Sequence, residues 1–466
     1  MAKLNKEIFE GFSIRGVVGK DFDLAGMKQI AQGVGKWFKN RGGDTLVVGH
    51  DVRNSSPELH LSLCEGLLST GLNVIDIGLT PTPILNFATD YYKASGGVMI
   101  TASHNLSHYN GLKIRSDRTV YDDELKNIYV LASEVSKSVV IENGKYEKRN
   151  PLDIYVESLL SKAKFKRMLR VVVDGGNGAN GLIVPKVLRK FGCEVVELFC
   201  EPDGNFPNRN PDPTVPHATD ALAKKVVSEN ADLGFAFDGD GDRVILVDET
   251  GRTILGDETL MLIVENALSD NRAQKIAYEV LCTHALPDYI TQLGGIPVPA
   301  KSGYAYVHNA MLDSGAKIGG EMSGHFFLLD DKFKFDDAIL AAFQILSILS
   351  ATNKSLSRLT SELPHYFASP EYRIKCDNTM KAEVVNSVKD YYTQAGYQIE
   401  EIDGVSIDFG NAWALVRQSN TEAKLSMRFE AKESEEYMQK IAEAVLIQVA
   451  KVYKSKGMSW PSHLPG

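Results

Sequence analysis

The chain has 466 residues, 44% of them hydrophobic and 24% charged, with a net charge of −9. Length alone predicts about three domains, and the composition supplies several cores within the ordinary globular range. The negative balance excludes a general nucleic-acid binder, and an anionic ligand needs a local basic site working against the overall field.

Strand-like and helix-like segments alternate from the start. Residues 24–41 have helical spacing, 45–48 read as a strand, 57–70 as a helix and 73–77 as a strand. A Thr-Pro-Thr-Pro run opens a helix over 80–94, and 97–101 is the next strand. The pattern restarts at 170–174, followed by a Gly/Asn-rich turn, a helix near 182–191 and a strand at 232–238. It restarts again with a strand at 275–280, a helix after Thr283 and a strand at 316–320. The last hundred residues differ, with strands at 370–374, 412–416 and 425–431 and a helix over 433–453. The expected fold class is therefore α/β: three similar α/β domains plus a smaller C-terminal α+β domain around a central cleft. In such sheets ligands bind beyond the carboxyl ends of the strands. Ser103, Asp238 and Glu321 each stand just past a predicted strand.

Cys64, Cys193, Cys200, Cys282 and Cys376 are an odd number of cysteines, and no C-x-x-C pair occurs. A reduced cytoplasmic setting is expected. The first residues lack an apolar h-region and no apolar run reaches membrane-spanning length, so neither a signal peptide nor a membrane partner is expected.

The richest stretch is Asp238-Gly239-Asp240-Gly241-Asp242-Arg243. Three carboxylates this close repel one another unless a cation sits among them, and oxygen ligands suit a hard ion such as Mg²⁺. On a straight strand, alternate side chains stand about 6.6–6.8 Å apart, too far to share an ion with bonds of about 2.1 Å. The glycines let the backbone curl until the carboxylates converge. An EF-hand loop is excluded, because its sixth position requires glycine and here holds Arg243. A solvated acidic turn is the remaining alternative.

A second stretch, Thr101-Ala102-Ser103-His104-Asn105-Leu106-Ser107-His108-Tyr109-Asn110-Gly111-Leu112-Lys113, reads as a small, polar loop after a buried strand. Adjacent Ser103 and His104 are not expected to face each other as a nucleophile pair, and G-x-S-x-G is absent. Together, the two stretches resemble the α-D-phosphohexomutase family, with its T-A-S-H-N-P…Y-N-G-x-K serine loop and D-G-D-G-D-R metal loop. Gly320-Glu321-Met322-Ser323-Gly324-His325 is similar to the family's sugar-binding loop. Arg417-Gln418-Ser419-Asn420-Thr421-Glu422 is similar to its phosphate-binding loop. The four motifs follow in family order across nearly the whole chain, and the phosphomannomutase/phosphoglucomutase branch fits best. Scaffold matches are Ile14-Arg15-Gly16, Asp174 to Gly178, Pro202 to Pro207 and Asn210 to Pro213.

The resemblance implies an isomerase of carbohydrate metabolism that moves phosphate between C1 and C6 of mannose or glucose. A phosphoserine at Ser103 and a hexose 1,6-bisphosphate intermediate carry the reaction, with glucose 1,6-bisphosphate as activator. It implies Mg²⁺ on Asp238, Asp240, Asp242 and the Ser103 phosphate. Arg15, His104 and Lys113 join Ser103 as catalytic residues, with Lys113 as the proton acceptor and Arg15 electrostatic. Arg243, Lys301, Glu321, Ser323, His325, Arg417, Ser419, Asn420 and Thr421 are the implied contacts to a phosphosugar substrate. The implied domains are 1–152, 153–255, 256–368 and 369–466, in a monomer or dimer. The chain departs from the family pattern at Phe12, Leu106, Tyr304, His308 and Ala423. A phosphoglucosamine mutase, a phosphosugar sensor and a phosphatase are the rival readings.

Overall fold

In the computed structural model the described residues are 4–134, 143–162, 165–419 and 423–465. The chain forms two compact units, Met1–Ala267 with Lys317–Glu362, and Leu268–Ala316 with Leu363–Gly466. The stretch 256–368 contributes to both.

The first unit begins with a seven-stranded sheet. Its order is Phe9–Glu10, Ser13–Val17, Tyr109–Arg115, Gly96–Ile100, Thr45–His50, Asn73–Leu79 and Tyr146–Lys148. The strands Gly96–Ile100, Thr45–His50, Asn73–Leu79 and Tyr146–Lys148 run parallel, and Tyr109–Arg115 is antiparallel to both its neighbours. Leu24–Lys39, Ser56–Leu68 and Asp123–Ser133 cover one face, burying Met27, Trp37, Leu63 and Ile128 against Val48, Val98 and Ile114. Thr82–Tyr91 covers the other face through Leu85 and Ala88. Asp23 caps the first of these helices by accepting from the Gly26 N–H, as its position predicts.

A second sheet has the order Thr253–Ile254, Val244–Asp248, Leu233–Phe237, Arg170–Asp174 and Glu194–Leu198. The last three are parallel, and Val244–Asp248 returns antiparallel. The Asp238–Arg243 run is thus the connection of a tight antiparallel pair. The helix expected near 182–191 is Val184–Lys190, with Pro185 in its first turn, and a 3₁₀ turn, Ala179–Leu182, precedes it. Ile318–Gly320 pairs antiparallel with Phe326–Leu328, and the Glu321 loop joins them.

In the second unit, Lys275–Glu279 lies parallel to Ile296–Ala300. A separate antiparallel sheet is built on Lys424–Ala431, Ala412–Gln418, Val405–Asp408 and Gln398–Glu400, with Tyr372–Lys375 paired to the first of these. Lys381–Gln394 and Glu435–Ser455 close its core through Val388, Val445 and Val449. All five cysteines are free and buried. Among the described residues, no helix is long and apolar enough to cross a membrane.

One expectation fails. The stretch from Thr101 to Lys113 is a loop only as far as His108, and Tyr109–Arg115 is a buried central strand. Asn110-Gly111 looks like a turn signal, and it leaves only the short alternation Leu112-Lys113-Ile114-Arg115 to mark a strand. Gly111 sits opposite Arg15 in the register. A Cβ there would overlap the Ile14 carbonyl, so glycine permits the close pairing that sets Arg15 and Lys113 on neighbouring strands. Gly111→Ala is expected to destabilise the fold by about 1–3 kcal/mol, the usual cost of overpacking. Urea unfolding of the purified variant measures this directly.

Candidate active site

The acidic loop follows the strand Leu233–Phe237 and curls back at once. Asp238 Oδ1 accepts from the N–H groups of Gly241 at 3.0 Å and Arg243 at 3.2 Å. Gly241 has φ +77°, and a Cβ there would sit 2.5 Å from the Asn180 side chain. Gly239 serves differently: its Cβ would lie 2.5 Å from the Ser103 carbonyl oxygen. One glycine allows the curl and the other allows the serine loop to approach.

Oxygens of Asp238, Asp240 and Asp242 lie within 4.8 Å of one another, and all three side chains are buried. Lys113 bridges Asp240 Oδ2, at 2.6 Å, and Asp242 Oδ2. Thr82 donates to Asp240 Oδ2 at 2.7 Å. Arg243 is shared between Asp238, at 3.2 Å, and Asp212, at 3.3 Å. The carboxylates of Asp212, Asp238, Asp240 and Asp242 meet Lys113 and Arg243, and His325, paired with a fifth carboxylate, Asp336, lies 3.9 Å from Asp242, so carboxylates outnumber cations. Asp240 Oδ1 and Asp242 Oδ1 are buried without a hydrogen-bond partner. Buried polar atoms are rarely left unpaired, so these oxygens fit a hard cation's donor set. The solvated-turn alternative fails on burial.

The electrostatics follow from this crowding. Burial and the charges of Asp242 and Asp240 push the Asp238 carboxyl up to about 6. Burial also raises Asp240, but the Lys113 ammonium and the Thr82 hydroxyl outweigh it and hold that carboxyl below the usual range.

Ser103 is 2% exposed and adopts φ +49°. Its hydroxyl donates to Asp238 Oδ2 at 2.9 Å, and His104 Nδ1 lies 3.2 Å from Ser103 Oγ. The left-handed backbone at Ser103 turns the neighbouring side chains together, contrary to the expectation for adjacent residues. Burial and the Arg243 charge hold the His104 imidazole well below its ordinary pKa. Arg15 Nη1 donates to Asn105 Oδ1 at 2.9 Å.

The third loop is stitched to the second. Arg243 and His325 form a β-bridge, and the Val244 N–H donates to the Gly324 carbonyl at 3.1 Å. Ser323 donates to Glu321 Oε2 at 3.0 Å. His325 Nδ1 lies 2.7 Å from Asp336. Burial lowers His325, but Asp242 and Asp336 prevail and raise it to about 9. The first unit thus brings together Ser103, His104, Lys113, the three aspartates, Arg243 and the Glu321–His325 loop.

Lys301, Arg417 and Ser419 lie in the second unit. Arg417 Nε donates to Asp403 Oδ2 at 2.7 Å, and the Ser302 N–H donates to the same oxygen at 3.0 Å. Asp403 therefore ties the loop of exposed Lys301 to the end of the Arg417 strand. Lys381 donates to the Ser419 carbonyl at 2.8 Å. Asn420 and Thr421 lie outside the described residues.

Four sequence profiles match the chain. They are Phosphoglucomutase/phosphomannomutase alpha/beta/alpha domain I over residues 6–137, domain II over 153–251, domain III over 255–367, and the C-terminal domain over 371–448. The chain belongs to the phosphoglucomutase/phosphomannomutase family. A phosphomannomutase/phosphoglucomutase of Pseudomonas putida is 38% identical over 454 residues, 97% of each chain. A phosphoglucomutase of Neisseria gonorrhoeae is 33% identical, covering 92% of this chain and 94% of its own. The crystal structure of a family protein from Burkholderia thailandensis matches with a TM-score of 0.90 at 32% identity, over 99% of this chain and 100% of that one. Membership makes this chain a hexose-phosphate mutase, an isomerase.

Sequence reasoning missed Thr82, Asp212, Asp336 and Asp403, each a partner of a named site residue. Thr82 reads only as a helix start and Asp212 only as part of a proline-rich turn. Asp336 and Asp403 carry no motif at all.

The shared Lys113 charge has a measurable consequence. In Lys113→Met, Asp240 and Asp242 lose their common counter-ion, a change of the kind that costs about 3–5 kcal/mol when a buried pair is broken. Melting in EDTA is expected to drop accordingly, and added MgCl₂ is expected to stabilise the variant more than the wild type. Equal melting temperatures in EDTA would contradict this.

Proposed function

We propose that the chain interconverts hexose 1-phosphates and hexose 6-phosphates through a phosphoserine at Ser103. The observation that supports this best is the single buried spot shared by the Ser103 hydroxyl and three carboxylates whose charge is only partly matched. The four-domain division at 1–152, 153–255, 256–368 and 369–466 belongs to the same reading, supported by the order of the four profiles. Five buried, free cysteines support a reducing cytoplasmic setting.

In the first half-reaction, the bond between phosphorus and Ser103 Oγ breaks as phosphorus bonds to the sugar hydroxyl oxygen. The sugar hydroxyl proton passes to the amine of Lys113, which must first have given up its own proton and its ion pairs with Asp240 and Asp242, with neutral His104 as its companion beside Oγ. The product is a hexose 1,6-bisphosphate. It reorients and returns its other phosphate to Ser103, so glucose 1,6-bisphosphate acts as activator by charging the serine. Phosphoryl transfer needs positioning and neutralisation of spread negative charge more than covalent help. Asp238, Asp240 and Asp242 would hold Mg²⁺, which would supply that neutralisation and, by sharing carboxylates with Lys113, would lower the proton affinity of its amine. Arg15 adds a fixed positive charge, since an arginine stays protonated.

Glu321 accepts two sugar hydroxyls, with Ser323 beside it, and His325 and Arg243 border the same loop. Arg417, Ser419, Asn420, Thr421 and Lys301 hold the phosphate that is not in transfer. If these hydroxyls are O3 and O4, the contacts do not sense C2, where mannose and glucose differ. The two 1-phosphates should then have kcat/KM values within about 100-fold, or about 2.7 kcal/mol.

Phosphorus NMR tests the reading. Wild-type protein with mannose 1-phosphate, Mg²⁺ and a trace of glucose 1,6-bisphosphate should develop a 6-phosphate resonance, and Ser103→Ala should not. Conversion by the alanine variant would exclude the phosphoserine. Turnover of glucosamine phosphate alone would move the substrate, and release of inorganic phosphate would indicate a phosphatase.

A further inference from the structure

Arg53 is completely buried in a turn just past the strand Thr45–His50, and no motif marks it. Its Nε donates to Asp51 Oδ2 at 3.1 Å. Its Nη1 donates to the carbonyls of Leu106, at 2.8 Å, and Tyr109, at 3.0 Å. Its Nη2 donates to the carbonyls of Ser103, at 2.8 Å, and Asn105, at 2.6 Å. A guanidinium has five N–H donors in a rigid fork, and here five acceptors meet them. Four of the five are backbone carbonyls of the serine loop.

Asp51 reaches the other side of the same residue. It accepts from Thr101 Oγ1 at 2.8 Å, and Thr101 Oγ1 accepts from the Ser103 N–H at 2.8 Å. The N–H of Ser103 is therefore held through Asp51, and its C=O through Arg53. Between these anchors, Ser103 keeps φ +49°, a region that strains a residue with a side chain. The connecting loop of residues 202–207 closes over the clamp. Phe206 places its ring 5.1 Å from the guanidinium carbon, and a Cβ on Gly204 would come within 2.8 Å of Arg53 Cα.

We propose that Arg53, paired with Asp51, is the positioning residue that holds Ser103 in its left-handed conformation and aims its hydroxyl at Asp238. It acts through the loop backbone and touches neither sugar nor phosphate. The proposal rests on the phosphoserine reading above. Lysine cannot replace it, because three donors on one nitrogen cannot span four carbonyls.

The test compares wild type, Arg53→Lys and Thr101→Val. Steady-state assays with glucose 1-phosphate should show kcat lower by about 100-fold in Arg53→Lys, the scale of a roughly 1 Å misplacement, with KM little changed. After charging with glucose 1,6-bisphosphate, the wild-type phosphoserine ³¹P line should shift on adding Mg²⁺. In Arg53→Lys that shift should shrink, while the unphosphorylated variant keeps wild-type Mg²⁺ affinity by calorimetry. Thr101→Val loses the hydroxyl that links the Ser103 N–H to Asp51 and leaves the five bonds of Arg53 in place, so it should move kcat and the ³¹P response in the same direction, and it carries the test if Arg53→Lys does not fold. Wild-type kcat and Mg²⁺ response in a folded variant would overturn the proposal. So would a loss of Mg²⁺ affinity in step with stability, which marks a merely structural role. A wild-type protein that takes up no phosphate would overturn the phosphoserine reading itself, an outcome visible before any variant is compared.

Discussion

Five buried carboxylates, those of Asp212, Asp238, Asp240, Asp242 and Asp336, share three cations, Lys113, Arg243 and His325. Everything else about the first unit's site depends on managing that imbalance. Like charges this close cannot all stay ionised without compensation, and burial denies them water. The fold answers with a lysine from the central strand of one sheet, an arginine at the end of the acidic loop itself, and a threonine at a helix start. Two carboxylate oxygens still lack partners. Such a site is poised for a divalent ion, and a phosphoryl group has reason to settle next to it.

The placement comes from strand ends and from backbone that only small residues allow. The acidic loop connects an antiparallel pair, which brings its carboxylates back over one another. Gly239 lets the serine loop touch it, and Gly111 lets the strands carrying Arg15 and Lys113 lie side by side. Ser103 itself is strained, and its neighbours over-determine that strain. The second unit repeats the economy on a smaller scale, where one carboxylate, Asp403, anchors both Arg417 and the turn after Lys301.

Much of this is legible in the sequence because glycines, prolines and carboxylates in fixed order have few structural uses. The D-G-D-G-D-R run announces both its curl and its charge, and the long amphipathic helices Leu24–Lys39 and Glu435–Ser455 fall within two residues of their predicted ends. Tyr109–Arg115 hides because Asn110-Gly111 reads as a turn and leaves only four alternating residues, Leu112 to Arg115, to mark the strand. Arg53, Asp212, Asp336 and Asp403 hide for another reason. Each acts through a partner distant in sequence, such as Arg53 on Ser103, fifty positions away. No local spacing encodes such a contact.

The central claim is that the phosphate on Ser103 and the cation on the three aspartates are neighbours. Adding Mn²⁺ to phosphorylated protein while recording its ³¹P spectrum tests this most directly, because paramagnetic broadening falls off steeply with distance. One equivalent should broaden the phosphoserine line beyond detection, and Asp240→Asn should abolish the effect at that concentration. A line that stays sharp after one equivalent has bound would place the metal elsewhere and contradict the account.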